Sequence, residues 1–439
     1  MFDHPDSLPP ENTTNKTTEN TSKSEDINSE ENHYAILALD PPPKPWTKSN
    51  WYMQEIAGVP LLLRNILTVQ RAKAKKLFIF QNDGSEDNSL RKTLEDPRIS
   101  IKIEFISDQD KFFDILEKNK KCLLLNGSFL YQTSQFTDIY QGISTGQTTV
   151  DGTYPLDVEN VKKAINSNQL RISEIEKVIM QGESNDDTLS RFYISGRQDF
   201  KVEKDSDFLS QSEKLFQTCG LSNDSFMDRL ITRRVSRQLT RIFVQTSMTP
   251  NQITGLSLAL GLLAAWLFYF GNYTASLIGA GIFLLSAWVD CTDGEVARLK
   301  FQESKFGSIL DIFSDNIVHF AVFYCIGMGL YFSTGNSIYK ILGILAVLGS
   351  AVSFALMCSE VVKGKSQASE GKKTKENSNG VDLTAQMANR DFIYLVFILA
   401  IVGQLWFFIA ITAVGANVFA SILVYTRFIK PNIDQAESI

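Results

Sequence analysis

Four aspartates lie in the most apolar part of this chain: Asp290, Asp293, Asp311 and Asp315. Successive residues of a helix turn by about 100°, so Asp290 and Asp293 share one helix face, and Asp311 and Asp315 share a face of the next helix. An ionised carboxylate inside a membrane span costs about 2.5 to 3.5 kcal/mol, and four of them also repel one another. Hard divalent cations such as Mg²⁺ offset this charge and can hold a diphosphate as well. The spacing therefore favours a metal site that handles phosphate groups.

The residues around the aspartates fit the same chemistry. Gly294 and Gly307 lack side chains where a substrate has to approach the helices, and Arg298 offers a fork of donors to phosphate oxygens. Two other interpretations stay open on spacing alone. The aspartates are also compatible with a cation pathway in a channel or transporter, or with a solvated loop.

The elements that must position these aspartates are predicted to be membrane-spanning helices. Four stretches contain no Asp, Glu, Lys or Arg: Gly255–Trp288, Asn316–Tyr339, Ile341–Ser359 and Phe392–Thr426. We expect six spans, at about residues 251–270, 274–298, 307–332, 338–359, 386–402 and 405–427. The last stretch has 35 residues. At about 1.5 Å per residue it would overshoot a hydrocarbon core of roughly 30 Å, so we expect a break near Gly403.

Basic residues beside these spans predict the orientation of the chain in the membrane. One side carries nearly all of them: Arg298, Lys300, Lys305, Lys363, Lys365, Lys372, Lys373, Lys375, Arg390, Arg427 and Lys430. Only Lys340 falls on the other side. Because short cytoplasmic loops are enriched in Lys and Arg, we expect both termini and the aspartate-rich loop to be cytosolic.

A basic segment precedes the first span. Its arginines are Arg229, Arg233, Arg234, Arg237 and Arg241, and apolar side chains alternate with them. This pattern is typical of an amphipathic helix that lies on the anionic cytoplasmic leaflet. A plain solvated helix is the alternative.

The residues before this segment have the composition of a soluble domain. Residues 1–32 are rich in Asn, Thr, Ser and Glu, which predicts a disordered tail. From residue 33 to about residue 131, apolar runs such as "YAILALD", "KLFIFQND" and "CLLLNGSFLY" alternate with helical patterns. Strands that alternate with helices at this spacing predict an α/β domain with a parallel sheet. Two more helices are predicted at "DVENVKKAI" and "ISEIEKVIM".

The membrane half resembles the CDP-alcohol phosphotransferase family. Eight residues match its signature D-x2-D-G-x2-A-R-x8-G-x3-D-x3-D without departure: Asp290, Asp293, Gly294, Ala297, Arg298, Gly307, Asp311 and Asp315. The resemblance covers about residues 226–428. It implies a six-helix membrane enzyme that moves a substituted phosphate from a CDP-alcohol to an acceptor hydroxyl and releases CMP.

The resemblance also implies roles for single residues. Asp290, Asp293 and Asp311 would be ligands of two divalent ions, Mg²⁺ or Mn²⁺, and Asp315 would touch the metals or act as general base. Gly294, Ala297 and Gly307 would border the CDP. Weaker candidates for substrate contact are Asn251 and Thr254, which fit a helix cap nearly as well, and Arg298 and Lys305, which would hold an acceptor phosphate or serve topology. His319 continues the face of Asp311 and Asp315, but packing is the simpler role for it.

The soluble half resembles the sugar-phosphate nucleotidyltransferase fold through "HYAILALDPPPKPW" and "AGVPLLLRNILTVQRAKAKKLFIF". Active members have a Gly-rich loop whose amides cradle nucleotide phosphates, and an acidic metal ligand after a later strand. Here the loop reads "DPPPKP", and Asn126 and Ser128 stand where the acid is expected. Since proline has no N–H, the domain is predicted to be inactive. The order of the two halves resembles fused enzymes that make inositol phosphodiesters.

These observations predict the following organisation. A nucleotidyltransferase-like domain at 33–207 is followed by a linker and juxtamembrane helix at 208–250, a six-helix domain at 251–430 and a short tail at 431–439. We expect an integral membrane enzyme of phospholipid or polyol-phosphodiester biosynthesis that uses CDP-diacylglycerol or a CDP-polyol. It should bind no nucleic acid and form a homodimer within the bilayer. The alternative is a membrane protein that binds or transports cations without catalysis.

Overall fold

The computed structural model describes residues 34–81, 88–119, 122–133, 135–136, 139, 153–156, 158–164, 171–181, 191–219, 227–368 and 391–429. The predicted tails at 1–32 and 431–439 lie outside these ranges. So do residues 386–390 and five of the basic residues that predicted the orientation: Lys372, Lys373, Lys375, Arg390 and Lys430.

Strands and helices occur in the order that the sequence predicts. The strands are β1 Tyr34–Leu39, β2 Glu55–Ile56, β3 Val59–Pro60, β4 Lys76–Gln81, β5 Lys102–Ile106, β6 Cys122–Asn126, β7 Thr153–Pro155 and β8 Arg191–Ile194. The helices of the first half are α1 Lys48–Tyr52, α2 Leu61–Arg71, α3 Asn88–Lys92, α4 Gln109–Lys118, α5 Val158–Ala164, α6 Ile172–Gln181 and α7 Asp205–Gln217. The second half contains α8 Arg233–Gln245, α9 Pro250–Tyr269, α10 Tyr273–Lys300, α11 Lys305–Thr334, α12 Ser337–Ala368, α13 Asp391–Ile401 and α14 Leu405–Val424.

The first half is built on a six-stranded sheet in the order β5-β4-β1-β6-β8-β7. Five of these strands run parallel, which confirms the predicted α/β fold, while β7 pairs antiparallel with β8. The antiparallel strand is a difference from the predicted all-parallel sheet. β7 has three residues and lies at the sheet edge, where mixed sheets commonly add a strand of the opposite direction.

The apolar run of β1 is buried on both faces of the sheet. Ala35 and Leu37 belong to the core on one side, and Ile36 and Ala38 to the core on the other. Helix α2 covers the first face through residues such as Leu62, and α4 covers the second through Phe112. A strand that is covered on both faces needs no polar residue in its middle, as the sequence of β1 shows.

Within the described residues of the second half, five helices are long and apolar enough to cross a membrane: Pro250–Tyr269, Tyr273–Lys300, Lys305–Thr334, Ser337–Cys358 and Leu405–Arg427. They indicate an integral membrane protein. The predicted count of six spans is not confirmed, because the described part of α13 has 11 residues, and at about 1.5 Å per residue these alone do not cross a membrane. The predicted break near Gly403 is present: α13 ends at Ile401, α14 begins at Leu405, and Gly403 adopts a φ of 71°.

Glycines allow two membrane helices to approach closely at the end opposite the aspartates. A Cβ added to Gly271, which has a φ of 67°, would lie 2.0 Å from the carbonyl oxygen of Gly329. A Cβ on Gly329 would lie 2.1 Å from the carbonyl oxygen of Phe268. Small residues at membrane interfaces let backbones pack in this way. The contact fixes α9 against α11, and α10 packs along α9 from Gly279, beside Ala264, to Asp293, beside Thr254.

Candidate active site

Three of the predicted aspartates converge between two helices. Asp290 and Asp293 lie on α10, Asp311 lies on α11, and one oxygen from each carboxylate lies within 4.8 Å of the others. Asp290 and Asp293 are buried, at 5% and 7% exposure. Carboxylates that close together in a largely buried site are strongly repulsive unless a cation joins them. The set offers oxygen ligands only, which suits a hard divalent ion.

Helix α9 supplies hydroxyl groups to the buried aspartates. Thr254 Oγ1 donates to the Asp293 carboxylate, and Ser257 Oγ lies 3.2 Å from Asp290 Oδ1. The sequence left a helix cap open for Thr254, but the cap of α9 is Thr249, whose side chain accepts from the Gln252 amide. Ser257 was not predicted. A serine one turn beyond Thr254 on the same helix face was the signal that could have identified it.

A cleft of about 300 Å³ opens beside the aspartates toward the predicted cytosolic end of the helices. It is lined by Pro250, Asn251, Thr254, Asp293, Gly294, Ala297, Arg298, Gln302, Glu303, Ser304, Gly307, Ser308 and Asp311. The structure thus brings together every predicted substrate contact except Lys305. Lys305 is exposed at the start of α11 and is not among the lining residues.

The two glycines of the motif face different neighbours. A Cβ on Gly307 would lie 2.8 Å from Asn251 Oδ1, so this glycine permits the close approach of α11 to α9. A Cβ on Gly294 would lie 3.3 Å from an Arg298 guanidinium nitrogen, on the wall of the cleft. The absence of a side chain at Gly294 therefore keeps the space between the helix and Arg298 open.

Asp315 faces a second and much smaller cavity. This cavity, of about 20 Å³, is lined by Ser257, Leu258, Phe283, Ser286, Ala287, Asp290, Ser314, Asp315, Val318, His319 and Ile393. That volume suits about one water molecule. The imidazole of His319 lies among aromatic rings, stacked 6.2 Å from Phe323 and edge-on to Phe392 at 5.1 Å. Asp293 and Asp311 thus line the outer cleft, whereas Asp290 and Asp315 line the inner cavity.

Comparison with known proteins identifies the family of this site. Residues 247–419, which contain all four aspartates, match the family described as CDP-alcohol phosphatidyltransferase. This part of the chain belongs to that family. The predicted resemblance is confirmed, and the relatives of the chain are named as transferases and synthases.

Curated relatives match parts of the chain. It is 35% identical over 107 residues to the bifunctional IPC transferase and DIPP synthase of Aquifex aeolicus, which covers 24% of this chain and 24% of that relative. It is 35% identical over 103 residues to the archaetidylinositol phosphate synthase of Pyrococcus horikoshii, covering 23% of this chain and 53% of that relative. The matches span about a quarter of the first relatives.

A solved structure also matches, that of Mycobacterium tuberculosis phosphatidylinositol phosphate synthase with CDP-DAG bound. It is 24% identical, covers 45% of this chain and 94% of the other, and gives a TM-score of 0.29.

The CDP-alcohol phosphatidyltransferase domain contains one further acidic residue at its signature. Glu295 lies two residues after Asp293 on α10 and is fully buried at 0% exposure. Its carboxylate accepts from Arg233 Nη1 at 2.7 Å, Ser236 Oγ at 2.9 Å and Thr240 Oγ1 at 2.6 Å, all on α8. Glu295 therefore ties the juxtamembrane helix to the back of the helix that carries Asp290 and Asp293.

This contact changes the interpretation of the predicted basic helix. Arg233 is buried at 8% exposure and faces Glu295, so it is not available to lipid headgroups. On other faces of the same segment, Leu230 and Ile242 are exposed at 43% and 60%. Membrane-surface binding by the remaining arginines stays a prediction.

In the α/β domain, two positions where the nucleotidyltransferase resemblance would put the nucleotide site are hydrogen-bonded to the backbone. The carboxylate of Asp40, just after β1, accepts from the backbone amides of Ile172 at 2.8 Å and Ser173 at 3.2 Å, at the start of α6. Burial raises the pKa of Asp40 above its ordinary value. Asn126 Oδ1 accepts from the Ser128 amide at 3.0 Å. Asp40 thus holds the start of α6, and Asn126 holds the turn after β6.

Proposed function

We propose that this chain is an integral membrane CDP-alcohol phosphotransferase. It would transfer a substituted phosphate from CDP-diacylglycerol or a CDP-polyol to an acceptor hydroxyl and release CMP. The observation that carries the proposal is the convergence of Asp290, Asp293 and Asp311 beside a cleft formed by the other residues of the family signature. Because relatives include an archaetidylinositol phosphate synthase, inositol phosphates are the first acceptors to test.

The donor set supports two divalent ions, Mg²⁺ or Mn²⁺. Asp290, Asp293 and Asp311 would hold them, and all three side chains present carboxylate oxygens. Bound there, the ions neutralise the diphosphate and stabilise the CMP leaving group. The hydroxyls of Thr254 and Ser257 orient two of the carboxylates, as outer hydrogen bonds do at metal sites.

The chain's own residues divide the remaining work. Gly294, Ala297 and Gly307 line the cleft where the CDP would lie, and Arg298 offers donors to phosphate oxygens. As the bond between the acceptor oxygen and phosphorus forms, the bond from phosphorus to the CMP oxygen breaks. The acceptor hydroxyl would give its proton to the carboxylate of Asp315, which faces the inner cavity. In this proposal the site and both termini are cytosolic, and the chain forms a homodimer.

A release assay tests this function directly. The purified full chain with Mg²⁺ or Mn²⁺ is incubated with CDP-diacylglycerol or CDP-polyols and a panel of polyol phosphates and lipid acceptors. We expect CMP release with at least one pair, and mass spectrometry identifies the product. The matched control is Asp293→Asn, which should release none. Absence of CMP across the panel, together with cation flux in liposomes, would support the ion-pathway alternative instead.

Thermal protection gives an independent prediction. CDP together with Mg²⁺ should raise the apparent melting temperature of the purified chain, because a ligand that binds only the folded state stabilises it by about 2.7 kcal/mol at 100 times its Kd. Either component alone should protect less, since the diphosphate and the carboxylates repel each other without the ion. Asp293→Asn should remove the joint effect. Equal protection of that variant would place nucleotide binding elsewhere.

The α/β domain is predicted not to make CDP-alcohols. The full chain bearing Asp311→Asn, which removes CMP release as a competing signal, should release no pyrophosphate from CTP and a polyol phosphate. Residues Pro41, Pro42 and Pro43 supply no amide donors to a triphosphate, and Asp40 is bound to the start of α6. An active nucleotidyltransferase serves as positive control. Steady pyrophosphate release by the variant would show that the domain is catalytic.

A further inference from the structure

The α/β domain contacts the membrane domain at the connection between α10 and α11, residues 301–304. This connection joins the two halves of the aspartate signature. Gln302, Glu303 and Ser304 line the cleft, and Ser304 Oγ caps α11 by accepting from the Gly307 amide at 2.9 Å. The shape of the connection therefore sets one wall of the cleft and the start of the helix that carries Asp311.

The last carbonyl groups of α10 have partners from two sources. The final four carbonyls of a helix lack partners within the helix and have to find others. The carbonyls of Ala297 and Arg298 accept from the amides of Gln302 and Phe301, at 2.9 and 3.4 Å. The carbonyl of Leu299 accepts from Arg64 Nη2 at 3.0 Å, and that of Lys300 accepts from Arg98 Nη1 at 2.7 Å. Two side chains of the α/β domain thus complete the end of α10.

Arg64 is built into this contact. It is buried at 6% exposure, on the second turn of α2, and its Nη2 also donates to the carbonyl of Ile56 at 2.7 Å. Burial, and next the charges of Arg71 and Arg98, lower the pKa of Arg64 to about 9. A buried guanidinium is costly unless its donors are used, and a cation at a helix carboxyl end is favourable. The end of α10 gives Nη2 an acceptor and places the cation at a helix carboxyl end, although Nε of Arg64 has no hydrogen-bond partner among the described residues.

Arg98 is aimed at the connection by a neighbouring carboxylate. Its Nε and Nη2 donate to the two oxygens of Asp96 at 2.8 and 2.7 Å, which leaves Nη1 for the Lys300 carbonyl. A bidentate Arg–carboxylate pair fixes the plane of the guanidinium. Arg98 therefore reaches the helix end in one geometry.

Phe301 shows that the connection is held in a conformation that it would not adopt readily alone. Its φ of 58° lies in the left-handed region, which is uncommon for a bulky residue and costs on the order of 1–3 kcal/mol. The ring lies under two guanidinium groups, with Arg71 at 4.3 Å and Arg64 at 5.3 Å from its centre. Arg71 also pairs with Glu303. Contacts from the α/β domain offset the strain.

From these contacts we infer that the α/β domain acts as a clamp that holds the α10–α11 connection in the conformation that forms one wall of the cleft. Arg64 and Arg98 are the positioning residues of this clamp. The inference rests on the proposed function for its catalytic consequence. On this inference, the α/β domain, which we predict to be inactive as a nucleotidyltransferase, shapes the site of its neighbour. Loosening the clamp should weaken the binding of the CDP-alcohol more than it slows the transfer step.

Two variants and one matched control test the clamp in the full chain. Arg64→Met and Arg98→Met remove the donors to Leu299 and Lys300. Arg197→Met is the control, because Arg197 makes the same kind of bidentate pair with Asp199, at 3.2 and 2.9 Å, and stacks on Phe200 within the α/β domain. Arg98 is only partly buried, at 22% side-chain exposure, so Arg98→Met remains usable if Arg64→Met does not fold.

The first readout is hydrogen exchange of backbone amides in detergent. Amides of residues 301–305 should exchange at least tenfold faster in both variants than in the parent and in Arg197→Met, while amides of β1 stay unchanged. The second readout is CMP release, for which the KM of the CDP-alcohol should rise roughly tenfold to hundredfold while kcat changes less. Arg98→Lys, which keeps the positive charge and one donor nitrogen, should recover part of the loss.

The outcomes separate the clamp from the proposed function. Unchanged exchange at 301–305 in both variants overturns the clamp, whatever the activity. Faster exchange with unchanged KM and kcat also overturns it, since the connection would then not shape the site. If the parent chain releases no CMP, the proposed function fails, and faster exchange in the variants alone still supports the clamp.

Discussion

Asp315→Asn is expected to retain metal-dependent CDP binding while its rate of CMP release falls by about 10²- to 10⁴-fold, the usual loss for a general base. Asp315 lines the inner cavity with Asp290, whereas Asp293 and Asp311 line the cleft. It is also absent from the group whose oxygens lie within 4.8 Å of one another. Asparagine keeps the size of the side chain but cannot take a proton. Turnover and protection against heat by CDP with Mg²⁺ are the measurements.

Asp311→Asn is the matched variant, because it makes the same change one turn earlier on the same helix. Asp311 belongs to the close group of carboxylates, so its loss should remove both metal-dependent CDP binding and turnover. Residues that share a metal act as a unit, and their effects do not add. If Asp315→Asn abolished nucleotide binding as fully as Asp311→Asn, Asp315 would be principally a metal ligand and the base would lie elsewhere.

The convergence of the aspartates could be predicted because it depends on helical periodicity alone. Residues three and four apart lie on one face of any helix, so Asp290 and Asp293 had to point together wherever α10 lay. The family signature then predicted that Asp311 faces them. The three carboxylates lie within 4.8 Å of one another, which confirms this pairing. What the pattern could not supply was the separation of the site into two cavities, since the position of Asp290 and Asp315 in an inner cavity appears only in the structure.

The contact between the two halves could not be predicted. Helices commonly end with glycine in the left-handed region, but the sequence after α10 reads "FQES" and contains no glycine. Phe301 takes the left-handed position instead, and the two arginines over its ring, Arg64 and Arg71, lie more than 200 positions earlier in the sequence. A prediction from local residue preferences cannot include such distant contacts, which offset the strain at Phe301.

The break in the last apolar run could be predicted from its length. Phe392–Thr426 contains no charged residue, and its 35 residues in one helix would be longer than the hydrocarbon core is thick. The structure has the break, because α13 ends at Ile401, Gly403 adopts a φ of 71° and α14 begins at Leu405.

Glu295 was not predicted, because its partners are distant in the sequence. A single acid near the end of an apolar span is ordinarily solvated at the membrane surface, and its three partners lie 55 to 62 residues earlier. A signal was nevertheless present. Arg233, Ser236 and Thr240 occupy positions i, i+3 and i+7 of α8, so a stripe of donors runs along one face of a helix that otherwise has an apolar and basic pattern. A continuous stripe of donors on one helix face predicts a buried acceptor on the helix that packs against it.

Removing that acceptor should have the largest effect on stability. Glu295→Gln leaves the buried Arg233 guanidinium without its counter-charge, and breaking a buried ion pair by removing one partner costs about 3–5 kcal/mol. Because α8 packs against α10 on the side of Glu295, the loss of this ion pair should also loosen the helix that carries Asp290 and Asp293. The free energy of unfolding in mixed detergent micelles measures the effect.

Two comparisons show whether the cost comes from the buried charge. Asp114→Asn breaks the exposed pair with Lys118, whose side chains are 50% and 72% accessible, and should cost under about 1 kcal/mol. The double variant with Arg233→Met and Glu295→Met removes both charges and should recover most of the stability, because apolar side chains of similar volume often replace a buried pair at little cost. Ser236 and Thr240 can then donate to backbone carbonyls one turn earlier. A double variant as unstable as Glu295→Gln would mean that Glu295 matters through its hydroxyl contacts, and that the pairing with Arg233 contributes little.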